Sequence, residues 1–311
     1  MKSSISVVIP VYNSAEILPD LICGLSTVLD TLADVCEVIL VNDGSSDGSW
    51  EVINKLSAQY PRVHGINMMR NYGQHNALLC GIRAAQYEVV VTMDDDLQHP
   101  PEEIPKLLAK LSEGYDVVYG APRELPHSWW RNFMSRLIKR LLTWVMGVST
   151  FQEVAAFRAF KTALRRSFTN YQNPDVILDV LLSWGTTRFV SIPVKHNPRQ
   201  SGVSNYNFSK LVNTAFLILT GFSTAPLRLA SYIGFSFTVF GVIVFAYVVI
   251  QYLLQGSIPG FPFLASIISL FSGAQLFALG IVGEYLARIF SRSMDRPVYV
   301  VRETTTGTPT T

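Results

Sequence analysis

Three consecutive carboxylates, Asp94, Asp95 and Asp96, follow an apolar run from Val89 to Met93. Such a run is typical of a strand buried on both faces, and its end lies at the sheet edge where open α/β folds bind ligands. In an extended chain Asp94 and Asp96 share one face, while Asp95 points away. Two neighbouring carboxylates repel unless a cation lies between them, so the pair predicts a divalent metal, Mg²⁺ or Mn²⁺, that holds substrate phosphates. A solvated acidic turn that ends a strand is the alternative.

A second acidic strand end lies upstream, where Asp43 and Gly44 follow the strand-like run 37–41. A carboxylate in this position can accept hydrogen bonds from a base or a ribose, although Asp-Gly is also an ordinary turn. Together with Asp94 and Asp96 it suits a nucleotide diphosphate, because one group serves the nucleoside and a metal serves the pyrophosphate.

The elements that must position these carboxylates alternate along the first part of the chain. Strand-like runs and helical stretches follow one another at 6–12, 15–32, 37–41, 49–60, 64–68, 76–86, 89–93 and 115–120. Pro101, Glu102 and Glu103 suit the first turn of a further helix. Such alternation predicts a mainly parallel sheet covered by helices.

A stretch without any Asp, Glu, Lys or Arg runs from Leu229 to Gly283. The 311-residue chain is 49% hydrophobic and 15% charged, with a mean hydropathy of +0.28. The polar turn 255–262 separates two apolar segments, and a helix that rises about 1.5 Å per residue would carry each across a hydrocarbon core of about 30 Å. We predict two transmembrane helices, at about 229–254 and 263–285. Two buried helices of a soluble core are the weaker alternative, because such helices rarely stay uncharged over this length.

Basic residues flank this hairpin and are absent from its turn; they are Arg188, Lys195, Arg199, Lys210 and Arg228 before it, and Arg288, Arg292 and Arg296 after it. The positive-inside rule then places the N-terminal domain and both termini in the cytoplasm, with the hairpin in the inner or plasma membrane. No signal peptide is expected before Ser6. Cys23, Cys36 and Cys80 lack metal-ligand spacing and fit a reducing compartment. A net charge of +2 gives no support to a nucleic-acid partner.

Two other segments are predicted to lie at the membrane surface. Tryptophans and basic residues recur at roughly helical spacing over 128–146, although a helix packed on the domain's own core has the same pattern. The second segment, 208–226, leads from the domain 1–207 into the hairpin region 227–290. Residues 291–311 are expected to form a cytoplasmic tail whose end, after Glu303, is disordered.

Three motifs, at 6–13, 41–45 and 94–98, resemble family 2 glycosyltransferases of the GT-A fold. The stretches 70–75, 100–118 and 283–288 are similar to the polyprenyl-phosphate glycosyltransferases. That group contains dolichol-phosphate mannose synthases, undecaprenyl-phosphate glucosyltransferases and the undecaprenyl-phosphate 4-deoxy-4-formamido-arabinose transferase. The resemblance covers nearly the whole chain, and the stretch 71–75 favours the aminoarabinose branch.

The resemblance implies a membrane-bound, inverting enzyme that moves a sugar from a nucleotide-diphosphate sugar, expected to be UDP-linked, to undecaprenyl phosphate. The product would serve a cell-envelope glycan or a lipid modification. A GT-A catalytic domain would be followed by amphipathic interface helices and the transmembrane hairpin. The cofactor would be Mg²⁺ or Mn²⁺, and the family favours a homo-oligomer, a tetramer.

The resemblance also assigns roles to matching positions. Asp43 would hold the base in a pocket lined by Pro10, Tyr12 and Asn13. Asp94 would lie near the ribose and the metal, and the metal ligands would be Asp94, Asp96 and Gln98. Arg199, in the loop 199–206, would contact phosphate with two prongs and act in catalysis with Asp94 and Asp96. Further phosphate or acceptor candidates are Arg70, Arg123, Arg158, Ser201 and Ser204.

Two positions depart from the family pattern. The usual lysine of the phosphate loop is Asn205 here, which removes one positive charge. The segment 151–160 lacks the aspartate and glycine that often precede its Phe-Arg pair, and Gln152 or Glu153 is the candidate substitute, while Arg158 matches.

The expected mechanism is in-line attack of the lipid phosphate oxygen on the anomeric carbon, with the metal and Arg199 stabilising the departing nucleoside diphosphate. A processive polysaccharide synthase is one rival, but its Gln-x-x-Arg-Trp signature does not occur in this sequence. The two departures leave open a catalytically silent membrane anchor or assembly subunit. A transporter is disfavoured, because two helices without intramembrane charge offer no path for a substrate.

Overall fold

A computed structural model describes residues 4–32, 35–122, 155–197, 223–255 and 260–305 of the chain. The chain divides into two compact units, one formed by Met1–Tyr206 together with Arg296–Thr311, and the other by Asn207–Asp295. The interface helix expected at 128–146 lies outside the described residues, as does most of the one expected at 208–226.

The described part of the first unit contains an eight-stranded sheet. Its strands are β1 (Ile5–Val11), β2 (Cys36–Asn42), β3 (Val63–Met68), β4 (Val89–Thr92), β5 (Val117–Pro122), β6 (Arg158–Lys161), β7 (Phe189–Val194) and β8 (Val301–Thr304). They lie in the order β7-β5-β6-β4-β1-β2-β3-β8. Four strand pairs are parallel, and the pairs that involve β6 or β8 are antiparallel, which confirms the predicted mainly parallel sheet.

Helices cover both faces of this sheet, as the alternating pattern predicts. One face packs against α1 (Leu18–Leu32), α2 (Ser49–Gln59) and α4 (Ile104–Ser112), and the other against α3 (Gln74–Ala84) and α5 (Leu178–Ser183). Side chains of a strand alternate between faces, so β1 contributes Val7 and Ile9 to the first core and Val8 to the second. This two-sided burial explains why the central strands are continuous apolar runs.

The carboxyl ends of β1, β2 and β4 meet at one edge of the sheet. Val11 pairs with Asn42, so β1 and β2 end together, whereas β4 ends at Thr92, which pairs with Val8, three residues before the end of β1. Gly44 has a φ of 68°, and a side chain there would come within 2.5 Å of the Asn71 backbone nitrogen. The loops that follow β2 and β3 are therefore packed directly against each other.

The segment after the second apolar helix returns to the sheet, where a tail was expected. Strand β8 pairs antiparallel with β3, and Asn67 faces Glu303. Beyond the strand, the Gly65 backbone N–H donates to Thr305 Oγ1 at 2.8 Å. The segment returns to the sheet because it contains an apolar run that ends at Val301, and Val298 of this run is buried. Disorder was predicted after Glu303, but Thr304 belongs to β8 and Thr305 is bonded to Gly65, and the remaining residues, 306–311, lie outside the described ranges.

The described part of the second unit contains two long helices, α6 (Ala225–Gln255) and α7 (Phe261–Ser293). Two stretches are long and apolar enough to cross a membrane, Ala225–Leu254 with a mean hydropathy of 2.4 and Leu270–Ser293 with 1.4, and neither is buried within the protein. Phe271 of α7 packs against Phe237 and Phe240 of α6. Exposed apolar surface on both helices fits a lipid environment, as the sequence predicts.

Candidate active site

The acidic triplet lies in a bend, because β4 ends at Thr92, before the carboxylates begin. The alternation of side chains along a strand therefore does not apply to it. The Oδ2 of Asp95 accepts hydrogen bonds from the Ser14 hydroxyl and the Tyr12 backbone N–H. Burial raises the pKa of Asp95, and the bond from Ser14 opposes that shift. This carboxylate ties the end of β1 to the end of β4.

Asp94 and Asp96 are half-buried, and each accepts a hydrogen bond from a nearby amide group. Asp94 Oδ1 accepts from the Gln74 amide at 2.6 Å, and Asp96 Oδ1 accepts from the Gln98 backbone N–H at 3.1 Å. A carboxylate offers about four acceptor positions, so these bonds are compatible with a metal ligand.

The donor set fits a hard cation. Among the described residues no cluster of three His, Cys, Asp or Glu side chains forms a closed metal cage. Mg²⁺ typically takes only one or two protein carboxylates and completes its shell with water and substrate phosphates. The carboxylates of Asp94 and Asp96 therefore suit a metal that a diphosphate would share.

Asp43 is 3% exposed, and both of its carboxylate oxygens accept backbone hydrogen bonds. The N–H groups of Tyr72 and Gly73 donate to Oδ1 and Oδ2 at 2.6 and 2.9 Å. Burial raises the pKa of Asp43, while the two N–H donors oppose the shift. The side chain thus fixes the loop after β3, and a contact with a base would have to share these oxygens.

The loop 70–75 links the two acidic strand ends. Gly73, with a φ of 96°, lets the chain turn into α3, whose first residue, Gln74, reaches Asp94. The Arg70 guanidinium lies over the Tyr72 ring, 4.6 Å from its centroid, and is exposed at the same edge. Sequence reasoning gave Gln74 no role, although it belongs to a stretch that carries the family resemblance.

Of the residues expected to line the nucleotide pocket, Tyr12 and Asn13 lie at the edge of the sheet, and Pro10 lies in its interior. Tyr12 is 53% exposed, and Asn13 has a φ of 53° that asparagine tolerates. Asn13 N–H donates to Ser45 Oγ at 3.0 Å, and its Oδ1 accepts from the Ser46 N–H at 2.8 Å. Pro10 is buried within β1.

Arg158, one of the phosphate or acceptor candidates, is the first residue of β6, pairs with Thr92 at the end of β4, and is 2% exposed. It forms an ion pair with Asp179, and its Nε donates to Thr92 Oγ1 at 3.1 Å. Tyr119 also donates to Asp179, at 2.9 Å. A buried guanidinium requires such a partner, and the result is a rigid connection between β4, β5, β6 and α5.

Residues 6–172 match the sequence profile described as "Glycosyl transferase family 2". This chain belongs to that family. The glycosyltransferase is also 36% identical, over 312 residues, to the undecaprenyl-phosphate 4-deoxy-4-formamido-L-arabinose transferase of Shewanella sediminis (strain HAW-EB3). That match covers 98% of this chain and 94% of the relative, so the predicted enzyme class and group are confirmed.

Solved structures of the same architecture confirm the GT-A fold of this glycosyltransferase. Glucosyl-3-phosphoglycerate synthase from Mycobacterium tuberculosis, in complex with Mn²⁺, UDP and phosphoglyceric acid, has a TM-score of 0.50 at 19% identity. The likeness covers 70% of this chain and 76% of that one. The same synthase with UDP has a TM-score of 0.50 at 20% identity, covering 70% and 78%.

Several expected site residues of the glycosyltransferase lie outside the described residues; they are Arg123, Gln152, Glu153, Arg199, Ser201 and Ser204. The chain just before Arg199 does reach the acidic bend, because the Asn197 N–H donates to the Gln98 carbonyl at 2.8 Å. His196 packs edge-on against His99, with ring centroids 5.0 Å apart. Burial is the main cause that lowers the pKa of His99 to about 4.

Proposed function

We propose that this glycosyltransferase moves a sugar from a nucleotide-diphosphate sugar, UDP-linked, to undecaprenyl phosphate at the cytoplasmic membrane face. The observation that carries the proposal is the relative matched along 98% of the chain, because that match includes the two apolar helices as well as the family 2 domain. The product would be a lipid-linked sugar for the cell envelope.

The donor would bind at the edge formed by the ends of β1, β2 and β4. Asp94, Asp96 and Gln98 would hold Mg²⁺ or Mn²⁺, which supplies Lewis-acid stabilisation of the charge on the departing diphosphate. The exposed ring of Tyr12 and the tied loop 43–46 offer a surface for the nucleoside.

The phosphate of the acceptor has to be oriented, but it does not have to be deprotonated by the enzyme. A phosphate monoester has a second pKa of about 6, so its oxygen is an ionised nucleophile at neutral pH without a general base. Arg70, exposed beside the acidic edge, and Arg199 would orient the two phosphates for in-line attack on the anomeric carbon. The stereochemical outcome of such a single displacement is inversion.

The membrane arrangement follows from the apolar pair. Two spans at 229–254 and 263–285 would hold the enzyme at the bilayer, with the segments 128–146 and 208–226 at its surface. Residues on both sides of the pair belong to the first unit, which supports an even number of crossings. The basic flanks favour a cytoplasmic catalytic domain 1–207 and a cytoplasmic segment 291–311. By family resemblance the assembly is a homo-tetramer.

The test is transfer by the purified full-length protein. Undecaprenyl phosphate, Mg²⁺ or Mn²⁺ and a panel of radiolabelled UDP- and GDP-sugars are incubated with it, and label in the lipid extract is counted. We expect one donor to give a labelled lipid only when the acceptor is present. Label released as free sugar would indicate hydrolysis, and no turnover of any donor would favour a silent assembly subunit. Glu113→Gln, at an exposed helix end, is the matched control for site variants.

A further inference from the structure

Three polar side chains form a ladder across β2, β3 and β8. Asn42 faces Asn67 in the β2–β3 pair, and Asn67 faces Glu303 in the β3–β8 pair. The Asn67 amide donates to Glu303 Oε1 at 3.0 Å, and the Asn42 amide donates to Asn67 Oδ1 at 2.8 Å. Both asparagines are buried, so each must find its partners within the protein.

The hydrogen bonds of the ladder all donate in one direction, toward Glu303, and Glu303 sets that direction. An ionised carboxylate can only accept hydrogen bonds, whereas an asparagine amide donates through nitrogen and accepts through oxygen. Glu303 therefore turns the Asn67 nitrogen toward itself and the Asn67 oxygen toward Asn42. Asn42 must in turn donate to Asn67, which leaves its own oxygen directed to the turn that follows β2.

That turn joins the parts of the proposed nucleotide edge. Asn42 Oδ1 accepts from the Ser45 N–H at 3.4 Å, and Ser45 Oγ accepts from the Asn13 N–H at 3.0 Å. Between them, Asp43 holds the Tyr72 and Gly73 N–H groups. A reversed Asn42 amide would present an N–H to the Ser45 N–H and weaken the turn.

We propose that Glu303, which follows the two apolar helices in sequence, is a positioning residue of the nucleotide site. Its carboxylate fixes the direction of the Asn67 and Asn42 amides and thereby the conformation of the turn 42–46. The inference rests on the proposed function for the identity of the ligand, a nucleoside diphosphate, but not for the geometry of the ladder.

Glu303→Lys tests the direction of the ladder. Lysine only donates, so it reverses both amides at an exposed position that tolerates a long polar side chain. We expect UDP to bind about three- to tenfold more weakly, the range of one lost hydrogen bond, with an unchanged rate at saturating donor. A purely electrostatic effect has the opposite sign, because an added positive charge attracts UDP.

A double variant distinguishes an effect of amide direction from the simple loss of a hydrogen bond at the sheet edge. In the double variant Glu303→Lys/Asn67→Asp, the carboxylate introduced on β3 accepts from both the introduced lysine and the Asn42 amide, which restores the original direction at Asn42. Asn67→Asp alone places two carboxylates side by side and weakens binding. We expect the double variant to bind UDP within about twofold of the parent. Arg302→Gln, which removes a bond from the same strand to the Met69 carbonyl, is the control and leaves binding unchanged.

The measurements are calorimetric titration of the full-length protein with UDP and Mg²⁺, and hydrogen–deuterium exchange of the peptide that covers 42–46. Exchange should be faster in Glu303→Lys and restored in the double variant. Unchanged or tighter UDP binding by Glu303→Lys, or a double variant as weak as the sum of both changes, overturns the proposal. If the parent binds no nucleotide, the proposed donor is wrong, and exchange at 42–46 decides the ladder by itself. Should Glu303→Lys not fold, Glu303→Gln, whose neutral amide can still accept from Asn67 through its oxygen, is expected to give a smaller change of the same sign.

Discussion

Four aspartates lie at one edge of the sheet, and we propose different roles for two pairs of them. The oxygens of Asp43 accept bonds from the loop after β3, and Asp95 accepts from the end of β1. Asp94 and Asp96 are half-buried, and each accepts a bond from a neighbouring amide group. Asp43 and Asp95 thus join separate segments of the fold, and the ligand role that we propose for Asp94 and Asp96 can be tested against them.

Metal removal should have the largest effect on sugar transfer if Asp94 and Asp96 hold a metal, as proposed. Dialysis against a chelator is expected to abolish sugar transfer, because the charge of the departing diphosphate loses its counterion, and Mg²⁺ or Mn²⁺ should restore it. The measurement is labelled lipid product before and after the metal is returned. Transfer at the parent rate in excess chelator would contradict a metal site at Asp94 and Asp96.

Asp96→Asn should nearly abolish transfer, by about a hundredfold or more, because it removes one charged ligand from the stabilisation of the transition state. Its melting temperature should stay near that of the parent, since the amide still fits the half-buried bend. Asp95→Ala, which removes the acceptor of both bonds from the end of β1, is the comparison and should lower the melting temperature more and the rate less. Equal loss of rate in both variants would erase the division between the pairs.

Arg158→Met extends the comparison to Asp179, another carboxylate whose contacts stabilise the fold. Loss of the guanidinium leaves a buried charge without its partner, which costs about 3–5 kcal/mol of stability. The double variant Arg158→Met/Asp179→Leu should recover most of that loss, as measured by the shift in denaturant midpoint. Equal stability of the single variant and the parent would show that the ion pair is not essential to the core.

Asp43→Asn should destabilise the loop 70–73 by about 1–3 kcal/mol, because the new amide nitrogen faces a backbone N–H in place of an acceptor. Proteolysis or hydrogen exchange of that loop reports the change. Ser46→Ala, at the same edge of the sheet, is the control, because it removes only a hydroxyl. A loop as protected as in the parent would argue that the Asp43 carboxylate serves the ligand.

Gln74→Ala should have the smallest effect. It removes one hydrogen bond to Asp94, worth about 0.5–1.5 kcal/mol, and leaves the core untouched. The metal concentration that gives half-maximal transfer should rise about two- to tenfold at an unchanged melting temperature. An unchanged metal requirement would mean that Asp94 keeps its position without this amide.

The sequence predicts the central sheet well, because β1, β2 and β4 are apolar runs buried on both faces, and acidic residues end two of them. It does not predict the location of Arg158, since a charged side chain becomes an interior residue only through a partner such as Asp179, which lies on another element. The bonds of Asp43 to the loop after β3 are likewise tertiary contacts. Strand β8 escapes prediction because four residues on a sheet edge, after a long apolar segment, carry little periodic signal.

The position of β8 has a consequence for synthesis of the protein. Its residue Glu303 meets Asn67 across 236 positions of sequence, and both apolar helices lie in the interval. A ribosome that makes the chain from the amino end releases β8 only after both helices have emerged. The edge beside β3 therefore stays open until the membrane segment is complete, and closing it is the last step in building the sheet.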